Sequence, residues 1–216
     1  MKSDVFKMEV LELKPIRNKT VVIYLIDKTR INSQLNDIDI LKALVDKNNI
    51  NFITIDINNG NFKTFKNSNL SRVLNALNVE YYLLDMPKYA YGYLYEEITK
   101  KEEQINDLLE EYRIMDDKDS FRGLNLKSWI DVLKKEVFQE KNILEIKIRP
   151  QWIVKKILDL IKKHKNEKVS LIHFTNESTL PEITKQLRNL HIEAIVYNFN
   201  NIYNIPYLII KQEESN

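Results

Sequence analysis

Three aspartates stand at the ends of apolar runs. Asp27 follows Val21–Ile26, Asp56 closes most of Phe52–Ile57 with Asn58 just beyond, and Asp85 follows Val79–Leu84. A further polar group, Thr175-Asn176-Glu177, follows the run Lys168–Phe174. If these runs are strands of one open α/β sheet, their carboxyl ends form the rim where such sheets bind ligands. Carboxylates gathered there could hold Mg2+ or Mn2+ through oxygen ligands, with Arg30 or Arg149 stabilising a developing anion. That chemistry is metal-dependent hydrolysis. Each aspartate also has a plainer explanation, because aspartate is a common turn and cap residue. Recurrence at three successive run ends keeps the metal site in play.

Other chemistries have less to work with. The chain has no cysteine, which removes disulfides, thiolate metal sites and cysteine nucleophiles. Its histidines, His164, His173 and His191, show no ligand spacing, so a zinc site is not expected. His173 sits inside Leu171–Phe174 and reads as a hydrogen-bonded structural group. His164 and His191 fall at helix ends, where the macrodipole favours a cation. No serine occupies a nucleophile elbow. The three glycines, Gly60, Gly92 and Gly123, are too scattered for a phosphate-cradling loop. With 33 basic and 31 acidic residues, the net charge of +2 gives little pull on nucleic acid, and no reader motif is present. Lysines around Lys162–Lys165 read as a solvated helix face. No stretch approaches the roughly 18 apolar residues of a membrane span, and no targeting segment is visible. The expected location is cytoplasmic.

The elements that would position the aspartates follow from periodicity. Val21–Ile26 and Phe52–Ile57 are β-branched and apolar, as buried strands are, and Asn58-Asn59-Gly60 signals a turn after the second. Val79–Leu84 reads as a third interior strand, Lys168–Phe174 as a fourth and Ile192–Tyr197 as a fifth. Outlying strands are expected at Val5–Leu13, hairpin-paired with Val21–Ile26, and at Tyr207–Ile210. Helical spacing appears over Leu35–Val45 and Leu70–Leu77, and again from Pro150, which suits the first turn of a new helix. Thr179-Leu180-Pro181-Glu182 has the form of a capping box opening a helix that runs to about Leu190. Strands alternating with helices predict an α/β fold: a mostly parallel central sheet flanked by helices.

Between the third and fourth strands lies a long charged insertion. Tyr91, Leu94, Ile98, Ile105, Leu108, Tyr112 and Met115 follow heptad spacing, with Lys101 as the polar exception. Leu126, Ile130, Leu133, Val137 and Leu144 continue a similar seam after a break at Asp116–Gly123. This predicts an antiparallel helical hairpin over 88–147, its first helix roughly 40 Å long, inserted into a sheet domain of residues 1–87 and 148–216. The seam leaves open whether the hairpin packs back on the sheet or extends as an arm for a partner. Tyr91, Tyr93 and Tyr95 alternate and so share no helix face. They anchor the hairpin root better than they would stack bases.

The order of elements resembles the TraB/PrgY family, in the wider group holding Tiki proteases, ChaN-like proteins and erythromycin esterases. Tyr24-Leu25-Ile26 running into Asp27-Lys28-Thr29-Arg30 stands where that family has a strand and a G-T-x-H turn. Asp56 to Phe62 stands where it has E-L-D-x-x-R-Y, and Asn176 to Thr179 followed by Leu180-Pro181 where it has G-x-x-H and Leu-Pro. Asp85 and Arg149 match positions in the same frame. The departures fall on the chemistry: Arg30 and Thr179 replace both motif histidines, Asp27 and Asn176 both glycines, and Asp56 a glutamate. A guanidinium stays charged and cannot stand in for a neutral imidazole. The resemblance therefore implies a member that has lost hydrolase activity or rebuilt its site around Asp27, Arg30, Asp56, Asp85, Arg149, Glu177 and Thr179.

Two functions follow as expectations. One is a non-catalytic binding or scaffold protein whose hairpin contacts a protein partner or a second copy. The other is a divergent metal-dependent hydrolase with its carboxylates at the strand ends.

Overall fold

A computed structural model describes residues 13–31, 35–57 and 62–197. The strand expected over Val5–Leu13 lies, but for Leu13, outside the described residues, as do the one at Tyr207–Ile210 and the turn at Asn58–Gly60. The chain divides into two compact units, 1–84 with 154–216, and 85–153.

The first unit is an α/β sheet. Its strands are β1 (Thr20–Asp27), β2 (Phe52–Asp56), β3 (Tyr81–Leu84), β4 (Lys168–Thr175) and β5 (Glu193–Tyr197). All pair in parallel, in the order β3-β2-β4-β1-β5. Helices α1 (Leu35–Asn48), α2 (Phe62–Lys66) and α3 (Asn69–Leu77) connect the first three strands. On their side of the sheet, Ile26, Ile53, Ile55, Ile172 and Phe174 pack with Leu41 and Leu44 of α1 and Val73 and Leu74 of α3. Side chains alternate along a strand, so Leu25, Thr54, Asp56, His173 and Thr175 point to the opposite side. There α7 (Leu180–Asn189) packs against β1 and β5. Every residue of β2 is buried, as expected for a strand covered on both faces. β3 corrects one expectation. It is not interior but forms the edge of the described sheet, and three of its four residues are only half-buried.

Left-handed turns close helices where glycine is scarce. Asn78, at φ 52°, caps α3, and His191, at φ 58°, follows α7. Asparagine tolerates this region better than most residues with a Cβ.

The second unit is an antiparallel helical hairpin of α4 (Lys88–Ile114) and α5 (Phe121–Asn142). Leu94, Ile98, Ile105 and Leu108 of α4 are buried, as are Leu126, Ile130, Leu133 and Val137 of α5. Lys101, the polar position in the seam, pairs with Glu140 at 2.5 Å and Glu136 at 3.1 Å on α5. Two further pairs, Lys141–Glu102 and Arg122–Glu111, each at 2.6 Å, link the two helices. The turn between them depends on Gly123, where a Cβ would collide with the backbone of Lys118.

Pro150 does not begin a separate helix. Backbone runs helically from α5 through a π-helical stretch, Ile143–Ile148, into α6 (Arg149–Lys163). The Arg149 N–H reaches back five residues to the Leu144 carbonyl. Proline has no N–H to give the ladder, and the widened turn falls directly before the position where that donor is missing.

Candidate functional site

The register brings three polar side chains to one row. Asp27 of β1 pairs across with Thr175 of β4, and the Thr175 hydroxyl donates to Asp56 Oδ2 on β2 at 3.1 Å. All three lie at strand carboxyl ends and are buried, Asp56 and Thr175 fully so. β1 leads toward the α1 face while β4 leads toward the α7 face. Neighbouring strands that diverge in this way mark the usual ligand crevice of an open α/β sheet.

Each carboxylate is already engaged. Asp27 Oδ1 accepts from the Thr29 N–H at 3.0 Å and its hydroxyl at 2.8 Å, capping the 3-10 turn Lys28–Arg30. Asp27 Oδ2 takes Arg30 Nε at 3.2 Å, and the same guanidinium reaches Glu177 at 3.3 Å. Glu177 is largely exposed, so this outer pair contributes only about 0–1 kcal/mol. The Asp56 backbone carbonyl accepts from Lys28 Nζ.

Thr179 does not form the expected capping box. Its hydroxyl makes no cap to the helix; it lies 2.6 Å from the Thr175 hydroxyl and 3.1 Å from the Asn176 carbonyl. Because Thr175 gives its proton to Asp56, the short contact needs Thr179 to donate to Thr175. The result is a directional chain, Thr179 to Thr175 to Asp56. Thr179's one proton is shared between the Thr175 hydroxyl and the Asn176 carbonyl, and the charged Asp56, as the stronger acceptor, sets the direction in which the chain runs.

One layer below, His173 is fully buried, with Nδ1 3.0 Å from the Thr54 hydroxyl and no partner at Nε2. Burial, seconded by the charge of Lys28 and opposed by the bond to Thr54, depresses its pKa to about 3. It stays neutral at physiological pH and serves the sheet as an apolar-packed ring.

Asp85 and Arg149 belong to the second unit and pair with each other there. Arg149 Nε meets Asp85 Oδ1 at 3.0 Å, with the Arg149 side chain almost wholly buried, and Glu145 adds a contact at 3.7 Å. Tyr91 donates to Glu145 at 3.4 Å and stacks on Tyr95; burial and the nearby carboxylate push its pKa up to about 12.

Among the described residues no three histidine, aspartate or glutamate side chains converge as ligands. Two shallow, open hollows lie on the hairpin. One of about 380 Å3 runs along α5, lined by Leu124, Lys127, Ser128, Asp131, Val132 and Lys135; one of about 490 Å3 runs along α4. Attention to the buried seam alone passes over these outer rows, although Leu124, Ser128 and Val132 recur every four residues. Lys28 and the Thr175–Thr179 relay were equally hidden, because their partners lie far away in sequence.

No protein-family model matches the chain, and no curated protein or solved structure does. Among the described residues no helix is long and apolar enough to cross a membrane.

Proposed function

We propose that this chain is a non-catalytic binding protein that engages a protein partner through its helical hairpin. One observation carries the reading. Of twelve large apolar side chains exposed among the described residues, all but Val196 lie between Tyr89 and Ile146. Scattered exposed apolar residues are ordinary, but a concentration of them on one unit marks an interaction surface. On α5 the exposed Phe121, Leu124 and Val132 lie on the side away from the seam, interspersed with Lys127, Asp131 and Lys135. The self-engaged carboxylates at the strand ends support the same reading, as do the eroded motifs of the TraB/PrgY resemblance.

The test places a photocrosslinking residue at Val132, half-exposed on α5, with a control at Lys185 on α7. The expected result is a discrete crosslinked protein from Val132 and none from Lys185. Equal or absent crosslinking at both positions would overturn the reading.

A divergent hydrolase is the second reading. In its favour is the relay of two hydroxyls leading to the fully buried Asp56, beside Lys28.

A further inference from the structure

The α5 groove is lined by two overlapping diamonds of residues. Leu124, Lys127, Ser128 and Asp131 form one, and Ser128, Asp131, Val132 and Lys135 the next. Spacing of i, i+3, i+4 and i+7 is that of the hole into which a neighbouring helix inserts a knob. The α4 groove repeats the pattern with Gly92, Tyr95, Glu96 and Thr99, then Glu96, Thr99, Lys100 and Glu103. Each groove thus has two successive holes prepared for a helix. The seam occupies the other side of each helix, so neither groove is filled from within the hairpin.

The charges along the two grooves are images of each other. On α5 the row is Lys127, Asp131, Lys135, all exposed and without an ion pair among the described residues. On α4 it is Glu96, Lys100, Glu103. Laid parallel, they set Lys127 against Glu96, Asp131 against Lys100, which on its own helix pairs with Glu96 at 2.9 Å and Glu97 at 3.4 Å, and Lys135 against Glu103. A slip of one turn either way opposes like charges at two of the three positions, which penalises the wrong register. In the matched register Leu124 comes level with the exposed Tyr93.

From this complementarity we infer that the occupant of the α5 groove is the α4 face of a second copy of this chain. The inference rests on the reading of the hairpin as the binding surface and names its partner. Because the two grooves face away from each other across the seam, one partner cannot fill both and the contact is heterologous: the end copies of an assembly each keep one half unfilled, and growth continues past the dimer.

Sedimentation velocity of the full chain over a wide concentration series tests this. The weight-average mass should rise with concentration beyond that of a dimer and fall back at high salt. Lys127→Glu with Lys135→Glu should weaken association by about tenfold or more, since attraction becomes repulsion at two positions. Glu96→Lys with Glu103→Lys should do the same, and mixing the two variants should restore association. All four side chains are exposed, so thermal unfolding should show both variants folded. A parent that stays monomeric, variants that assemble like the parent, or a mixture that fails to restore association would each overturn the inference. So would parent monomers that sediment only with anionic vesicles. A crosslink from Val132 to a different protein, persisting in a monomeric parent, would overturn self-association while leaving the binding reading standing.

Discussion

His173 shows how one side chain can tie stability to pH. Its proton affinity is depressed in the folded chain, to about 3 from an ordinary 6.5, first by burial and then by Lys28. The unfolded chain therefore binds the extra proton between those values, and stability must fall as pH drops through that window. The slope from this residue is about 1.4 kcal/mol per pH unit below 6.5. His173→Leu should lose that part of the acid sensitivity, as measured by urea unfolding of both proteins from neutral pH to pH 4; identical slopes would refute it. Buried status was legible from the run Leu171–Phe174. That Nε2 has no partner among the described residues was not, because it depends on what packs over the strand from elsewhere in the chain. The strand-end positions of Asp27 and Asp56 follow from the sequence; Asp27 and Thr179 then find partners within four residues, while Asp56 meets Thr175 only through the strand order.

The ion pair of Asp85 with Arg149 holds the end of β3's connection to the π-helical stretch, and it is buried. Removing one member strands the other's charge. Arg149→Leu should therefore cost about 3–5 kcal/mol, whereas replacing both by apolar residues of similar volume should recover most of the loss. Denaturant titration of single and double variants reads this directly, and additive losses would refute it. Helices and strands were legible wherever periodicity was long: α4, α5 and the five apolar runs. The short α2, with five residues, carries too little pattern to be seen. The π stretch was hidden for another reason. Pro150 is as compatible with a helix start as with a widened helical turn, and only the Arg149 to Leu144 hydrogen bond separates the two.

Across both units the polar groups at strand ends satisfy one another, and the apolar surface left over is on the hairpin. The thermal consequence is that Mg2+ or Mn2+ should leave Tm unchanged, for the parent and for Asp56→Asn alike. A cation present at about 100 times its Kd would stabilise the native state by about 2.7 kcal/mol and lift Tm by about 5–11 °C. A rise of that size, lost in Asp56→Asn, would move the balance to the hydrolase. The fold class was readable because strands alternate with helices; the strand order was not, because pairing is decided by contacts far apart in the chain.

That order has a consequence for how the chain comes into being. β4 lies between β1 and β2, yet it is made after the whole hairpin. As the polypeptide leaves the ribosome, β1 and β2 have a strand's width between them and no neighbour to fill it. The hairpin, built of contacts local in sequence, can close during that wait, while the sheet must keep its central slot open for more than a hundred residues of synthesis, counting from Asp56 to Lys168. Its central strand is therefore its keystone in time as well as in space. A ribosome stalled anywhere before Lys168 would hold a finished hairpin beside a sheet with two raw inner edges, the kind of surface that chaperones recognise.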